Sequence, residues 1–246
     1  MPRVTKRPEV RREELLDTAL RLSGEVGFDE MSVESVTHAA GVAKGTFYHY
    51  FKSKDDLQYQ LAKRFGDGLF GALSATAATA QGSATERLRA LMDASAAYKL
   101  AAGSDLNERG GTVMLILFLY HPRNASLRRD LLAMWETSTR TFLRPVIAAG
   151  VADGSFDLVD VESAVDLIIG LWFDYADRLW LRGARASDTH SFVDIMIAGS
   201  KAMAQAQERI LCVPAGTFTL QVDASMSDAL VYVYDNVVSA LSLPAT

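Results

Sequence analysis

Cysteine is almost missing from this sequence, and so are the motifs that usually carry catalytic chemistry. Its 246 residues include one cysteine, Cys212, so an intramolecular disulfide is excluded, which fits a reducing compartment. There is no Gly-x-Ser-x-Gly or P-loop motif. The four histidines lack the His-x3-His or carboxylate spacing of a metal site. We therefore expect no enzyme, no metal and no cofactor.

Long apolar runs are also lacking. The longest, from Val113 to Tyr120, is much shorter than the roughly 20 residues that cross a bilayer. Residues Met1 to Arg12 are polar and charged, unlike a secretory signal. We expect a cytoplasmic protein that has no membrane partner.

The formal net charge of −5 argues against a nonspecific nucleic-acid coat, which would be strongly basic. The charge is unevenly distributed, however. Residues 1–64 contain 11 Lys/Arg and 10 Asp/Glu, a net charge of +1, whereas the remainder contains 14 and 20, a net charge of −6. The N-terminal part can therefore present a basic face.

Strand patterns are scarce, and apolar residues recur at helical spacing instead. A first apolar stripe from Leu15 to Val26 predicts a helix that ends at Gly27. Ser32 is a candidate cap for a second, short helix, which Gly41 breaks. A third helix covers about 43–51.

A fourth helix begins at Ser53 and Asp56, which resemble a capping box, and ends near 66–68. Beyond it the segments lengthen, and one short extended segment is plausible at 213–224. The fold class predicted is all-α, with domains at 1–66 and 67–246. The longer helices are expected near residues 67–80, 84–102, 107–121, 124–150, 160–182, 188–211 and 225–242.

The short helices around Gly41 predict a helix-turn-helix, in which the second helix enters the major groove of double-stranded DNA. Phe47 and Phe51 are four residues apart and should pack inward. Lys44 can donate to guanine or phosphate, and Thr46 can contact a thymine methyl group. The other residues of this segment that we assign to DNA contacts are Gly45, Tyr48, His49, Lys52 and Lys54.

These residues carry a family resemblance. The stretch from Met31 to Leu57 resembles the DNA-binding region of the TetR family of repressors, and the likeness covers about 10–65. The matching positions are Ala40-Gly41-Val42, Gly45-Thr46, Tyr48, Tyr50-Phe51, Ser53-Lys54 and Leu57. The match adds Ser32 and Val42 to the expected DNA contacts.

The sequence departs from the family pattern at two positions. Ser32 replaces the usual threonine and keeps its hydroxyl group, whereas Ala43 replaces the usual serine. Losing a cap hydroxyl typically costs about 1 kcal/mol. We expect the fold to survive and the DNA affinity to be somewhat weaker.

The resemblance implies a three-helix N-terminal domain on a larger helical body that dimerises and binds a small-molecule effector. Dimerisation would use the helices at 160–182 and 188–211. Small and apolar residues at helical spacing in the second of these would allow close approach: Ile195, Ala198, Gly199, Ala202 and Ala206. The dimer would bind a palindromic operator, and the effector would release it.

Two further parts of the sequence each allow two interpretations. The basic N-terminal arm either follows phosphates or the minor groove, or is a solvated tail; its basic residues are Arg3, Lys6, Arg7, Arg11 and Arg12. Large apolar residues of the C-terminal part either form core and interface or line an effector cavity. The candidate lining set is Met114, Phe118, Tyr120, Trp135, Trp172, Asp174 and Tyr175.

The function predicted is thus a DNA-binding transcriptional regulator controlled by a small, largely apolar effector. One alternative is a constitutive DNA-binding regulator without a ligand. A third possibility, an enzyme or a sequestering protein, is disfavoured because no catalytic constellation is present. The sequence does not distinguish repression from activation, and it identifies neither operator, effector nor the role of residues 213–246.

Overall fold

The computed structural model describes residues 7–101, 119–120, 124–218 and 224–238. Within these ranges every regular element is helical and no strand occurs, which confirms the all-α prediction. The chain forms two compact units, described separately below. The first contains Met1–Asp67 and Ala101–Leu127, and the second contains Gly68–Leu100 and Arg128–Thr246. The domain division at residues 66 and 67 stays a prediction.

Three helices and the start of a fourth build the described part of the first unit. They are α1 (Pro8–Glu30), α2 (Val33–Ala39), α3 (Lys44–Tyr50) and α4 (Lys54–Thr79). The predicted end of α1 at Gly27 is wrong, because α1 continues to Glu30. A glycine inside a helix costs only about 1 kcal/mol and does not by itself end it.

Serine hydroxyls cap the N-termini of α2 and α4. The Ser32 hydroxyl accepts a hydrogen bond from the Ser35 N–H, and the Ser35 hydroxyl accepts one from the Ser32 N–H, both at 3.0 Å. At α4 the Ser53 hydroxyl accepts from the Asp56 N–H at 3.1 Å, as predicted. The Asp56 carboxylate, however, accepts from the Lys52 N–H at 2.8 Å rather than from that of Ser53. Both helices thus begin where the sequence predicts.

The predicted break near residues 66–68 is wrong, because α4 continues through Gly66 and Gly68 as one helix. The physical reason is the apolar stripe, which keeps its spacing of four residues across the glycines. Its buried members are Leu57, Leu61, Leu69 and Leu73. Ending the helix would have interrupted this stripe.

The second unit contains most of the longer helices. They are α5 (Ala84–Ala101), α6 (Ala125–Ala152), α7 (Val161–Gly170), α8 (Ala176–Gly183), α9 (Thr189–Ile210) and α10 (Ala224–Val233). Two π-helical turns, π1 (Leu171–Tyr175) and π2 (Tyr234–Val238), follow α7 and α10. The predicted helix at 160–182 is therefore α7, π1 and α8 in succession. The predicted helix at 107–121 lies almost wholly outside the described residues.

One hydrophobic core holds this unit together. Its fully buried members come from α5, α6, α7 and the segment after α9. They include Leu88, Leu143, Val146, Ile147, Val165, Ile168 and Leu211. Side chains at helical spacing on each helix meet here, so burial of apolar surface is the main force that assembles the unit.

The segment after α9 is folded onto the same core. The prediction of an extended segment at 213–224 is wrong for its described part, 213–218, which forms turns. Phe218 is buried, and its N–H donates to the Glu208 carboxylate at 2.8 Å. Gly216 has φ of +86°, a left-handed conformation that belongs to this turn and not to regular extended backbone.

The C-terminal elements pack on α9. The ring of Tyr234 in π2 lies 5.4 Å from that of Phe192, and its hydroxyl donates to the Ala186 carbonyl at 3.3 Å. Thr189 donates to the Asp235 carboxylate at 3.2 Å. Tyr234 and Asp235 thus tie π2 to α9 and to the residues just before it.

Helices α8 and α9 approach each other closely at Gly199 of α9. A Cβ atom at this position would lie 2.2 Å from Cδ1 of Leu179 in α8, which is closer than real side chains approach. The Tyr175 hydroxyl donates to the Gly199 carbonyl at 3.2 Å. Gly199 is therefore used inside the subunit, and the expectation that it serves close approach between subunits is wrong.

We predict that Gly199→Ala lowers the free energy of unfolding by up to about 2 kcal/mol. Overpacking against the buried Leu179 costs about 1–3 kcal/mol, and helix propensity returns about 1 kcal/mol. Gly71→Ala is the matched control, because Gly71 lies exposed in α4 with nothing within 4 Å of the new Cβ. It should raise stability by about 0.5–1 kcal/mol. Urea denaturation followed by circular dichroism measures both, and equal midpoints for the two variants would contradict the packing argument.

Candidate nucleic-acid interface

A tight turn joins α2 to α3. Gly41 has φ of +64°, a left-handed conformation that costs other residues about 1 kcal/mol or more. The Gly41 N–H donates to the His38 carbonyl at 3.1 Å, and the Val42 N–H donates to the Thr37 carbonyl at 3.0 Å. These bonds satisfy the last carbonyls of α2 and reverse the chain. The result is the predicted helix-turn-helix.

Two phenylalanines anchor α3. Phe47 is 0% exposed and Phe51 is 1% exposed, and their ring centroids are 5.4 Å apart. Phe51 also receives the guanidinium of Arg12 at 5.7 Å from its ring centroid. This inward orientation, on which the predicted interface depends, is observed.

The opposite side of α3 faces outward. Tyr48 is 50% exposed, and Lys44, Gly45 and His49 are also exposed. Thr46 is half-buried, and its N–H donates to the Ala43 carbonyl at 2.8 Å. Ala43 precedes α3 and has no side-chain hydroxyl, so no side chain caps the N-terminus of this helix. A short helix with an exposed polar face can enter a groove about 12 Å wide.

Some of the remaining predicted contact residues are at least partly exposed, and others already make hydrogen bonds within the first unit. Lys52 and Arg7 are exposed, and Val42 is half-buried. The Ser32 hydroxyl is used in the cap of α2, and the Lys54 ammonium donates to the Met31 carbonyl at 3.1 Å. Arg3 lies outside the described residues.

The basic arm is shorter than the sequence suggests. Arg11 and Arg12 belong to α1, where Arg11 pairs with Glu14 at 2.7 Å and Arg12 donates to Gln60 of α4 at 2.8 Å. The Arg12 guanidinium therefore joins α1 to α4, whereas that of Arg11 pairs within α1.

One interaction of this surface was missed by sequence reasoning. The Lys44 ammonium donates to the carboxylate of Glu34 on α2. This hydrogen bond lowers the pKa of Glu34 and raises the pKa of Lys44, so both groups stay charged over a wider pH range. The residues are ten positions apart, and no local spacing rule predicts such a pair.

Four of the seven residues predicted to line an effector cavity belong to the described part of the second unit. Met114 and Phe118 lie outside the described residues, and Tyr120 is half-buried in the first unit. Asp174 is exposed on π1. Burial, followed by the charge of Asp174, raises the pKa of Glu136.

The three aromatic members of that set in the second unit are partly or fully buried. Trp135 packs on Phe70, with ring centroids 6.0 Å apart, and its buried indole N–H meets no acceptor among the described residues. The Trp172 indole N–H donates to the side-chain oxygen of Gln207 at 2.8 Å. The Gln207 amide nitrogen in turn lies 3.3 Å from Sδ of Met92, and a thioether is a weak acceptor. Polar groups are thus present in a mostly apolar interior.

The described part of the chain holds neither a metal-binding cluster nor a membrane-spanning helix. No cluster of three or more His, Cys, Asp or Glu side chains is positioned to hold a metal ion. No described helix combines the length and apolar character needed to span a membrane.

Comparison with known proteins agrees with this geometry. Residues 15–58 match the family model described as "Bacterial regulatory proteins, tetR family". The HTH-type transcriptional repressor KstR2 of Rhodococcus jostii is 33% identical over 155 residues, covering 63% of this chain and 72% of the relative. The regulator BetI of Burkholderia cenocepacia is 27% identical over 208 residues, covering 80% and 99%.

Solved structures share the fold. The repressor SmeT of Stenotrophomonas maltophilia superposes with a TM-score of 0.56 at 15% identity, covering 86% of this chain and 97% of that one. The fatty acid degradation regulator FadR of Bacillus halodurans gives 0.53 at 19%, covering 81% and 96%. Together with the helix-turn-helix of α2 and α3, these likenesses show that the chain belongs to the TetR family of bacterial regulatory proteins.

Proposed function

We propose that this regulator is a repressor that binds a palindromic operator as a homodimer and is released by a small, largely apolar effector. The observation that carries the proposal is the orientation of α3, with Phe47 and Phe51 buried and Lys44 and Tyr48 exposed. The relative from Rhodococcus jostii is named a repressor, which favours repression over activation.

Recognition of the operator would use α3 in the major groove. Lys44 can donate to guanine N7 and O6 or to phosphate, and Thr46 can contact a thymine methyl group. Tyr48, His49 and Lys52 can donate to phosphate oxygens. One such helix covers only a few base pairs, so specificity requires two helices about 34 Å apart, each reading half of a palindrome.

The exposed face of α9 is our candidate dimer surface. Ala198 and Ala202 are exposed, and Ile195 and Ala206 are half-buried. Small side chains let two helices approach closely, and a twofold axis makes the same face meet itself. Gly199 is excluded from this surface because it packs against Leu179.

The second unit would bind the effector near Trp135. An indole N–H that is buried without an acceptor is unfavourable, by roughly 1–3 kcal/mol. A ligand that combines apolar surface with an oxygen acceptor would relieve this cost and cover the neighbouring Phe70. To release the operator, the effector has to bind more tightly to the conformation in which the two recognition helices are wrongly spaced for DNA. A ligand with equal affinity for both conformations does not shift the equilibrium between them.

We predict that Tyr48→Ala weakens operator binding by more than about tenfold, since a phosphate contact and the packing of the ring along the backbone are both lost. Tyr48→Phe, which removes only the hydroxyl, should lie between this variant and the wild type. Gel-shift titration against a duplex selected by the wild-type protein measures the effect. Sedimentation must show an unchanged dimer, and full binding by Tyr48→Ala would refute the proposed interface.

We predict that Ala198→Glu weakens the dimer by more than about tenfold, or about 1.4 kcal/mol, because two carboxylates meet near the twofold axis. Ala133→Glu on the exposed side of α6 makes the same chemical change away from this surface. Sedimentation equilibrium separates the two variants. If both remain as dimeric as the wild type, α9 is not the interface.

We predict that Trp135→Phe weakens binding of acceptor-bearing apolar compounds by about two- to tenfold, the usual effect of one hydrogen bond. Thermal-shift screening would find the compounds, because a ligand raises the melting temperature by mass action. Trp180→Phe is the control, since Trp180 is a buried tryptophan of the same unit that packs on Phe192. If no compound in a broad lipophilic library raises the melting temperature, the constitutive regulator becomes the better description.

A further inference from the structure

The ion pair between Glu34 and Lys44 lies on the surface that would face DNA. Lys44 is the first residue of α3 and Glu34 belongs to the first turn of α2. The side chain of Lys44 is 54% exposed and that of Glu34 is 63% exposed. The turn at Gly41 brings them together and places the carboxylate beside the exposed face of α3.

This pair is not needed to hold the two helices together. Exposed ion pairs contribute little to stability, because water and salt screen them. The helices are already joined by the hydrogen bonds across Gly41 and by the buried Val36 and Phe47. A carboxylate in the first turn of α2 suits the helix dipole, so what calls for an explanation is its contact with a lysine on the exposed face of α3.

The carboxylate opposes the approach of a duplex in two ways. It accepts a hydrogen bond from the Lys44 ammonium, which is then not available to a phosphate. It also carries the same sign of charge as the phosphates, so every duplex meets some repulsion there. On nonspecific DNA, Lys44 can only replace its ion pair with Glu34 by an ion pair with a phosphate. A guanine in register offers N7 and O6 together, which is a directional pair of acceptors.

We propose that Glu34 is a specificity-determining residue that retains Lys44 on non-cognate DNA and releases it on the operator. The inference rests on the proposed DNA-binding function. Nonspecific affinity, which comes almost entirely from phosphate contacts, is suppressed more strongly than operator affinity. The ratio of the two affinities rises as a result, and this ratio decides occupancy in a genome full of competing sites.

The test is Glu34→Gln, which keeps the shape of the side chain and removes its charge. The probes are a duplex enriched by the wild-type protein from a random-sequence pool and an unselected duplex of equal length. We expect affinity for the unselected duplex to rise about fivefold, the scale of one exposed ion pair. Its plot of log affinity against log salt should steepen by about 0.9, which corresponds to one additional phosphate contact. Affinity for the enriched duplex should rise less.

Two controls separate this effect from a general change of charge. Glu25→Gln removes the same charge from the first unit, where Glu25 pairs with Arg21 along α1 at 2.8 Å, and it should leave the salt slope unchanged. In a Lys44→Ala background, Glu34→Gln should no longer steepen the slope, because the effect acts through the lysine.

Three results would overturn the inference. An unchanged salt slope on the unselected duplex would show that Glu34 does not hold Lys44 back. Weaker binding of the enriched duplex, as expected for Lys44→Ala, would show that Glu34 braces the helix instead. If the wild-type protein enriches no duplex at all, the proposed function fails and this inference with it. The first two results leave DNA binding itself intact.

Discussion

Burial of Phe47 and Phe51 beneath α3 is the interaction on which the candidate interface depends. A helix of seven residues is too short to be stable in isolation, since nucleation is costly and few hydrogen bonds follow. The two rings fix its position and rotation against the other helices of the first unit. Their rotation determines which side chains face outward. If the rings were exposed, Lys44 and Tyr48 would face the interior and nothing would remain to contact DNA.

The turn and the caps make this arrangement possible. Gly41 supplies the left-handed conformation that reverses the chain, while Ser32 and Ser53 satisfy the N–H groups at the starts of α2 and α4. No such hydroxyl is available at α3, because Ala43 precedes it. The position of α3 therefore rests more heavily on Phe47, Phe51 and the turn than in family members that keep the serine.

The second unit combines a mainly apolar core with a few buried polar groups. Trp172 and Gln207 satisfy each other, whereas Trp135 has a donor without an acceptor among the described residues. The buried Glu208 carboxylate, by contrast, has a partner. It accepts a hydrogen bond from the Phe218 N–H, which holds the segment after α9 against the core. One arrangement stabilises the fold, and the other leaves the donor at which we propose that the effector binds.

The sequence by itself determined the helical class, the helix-turn-helix, its inward phenylalanines and the family, because these depend on local spacing and on Gly41 and Ser32. It misjudged elements where a local signal competes with long-range packing. Glycine predicts a helix end at Gly27 and near residues 66–68, yet the apolar stripe of α4 continues across its glycines. Only the tertiary structure decided that Gly199 contacts Leu179 and that Lys44 pairs with Glu34. Both contacts join residues of different helices, and their geometry depends on how those helices cross, which residue spacing along one chain does not encode.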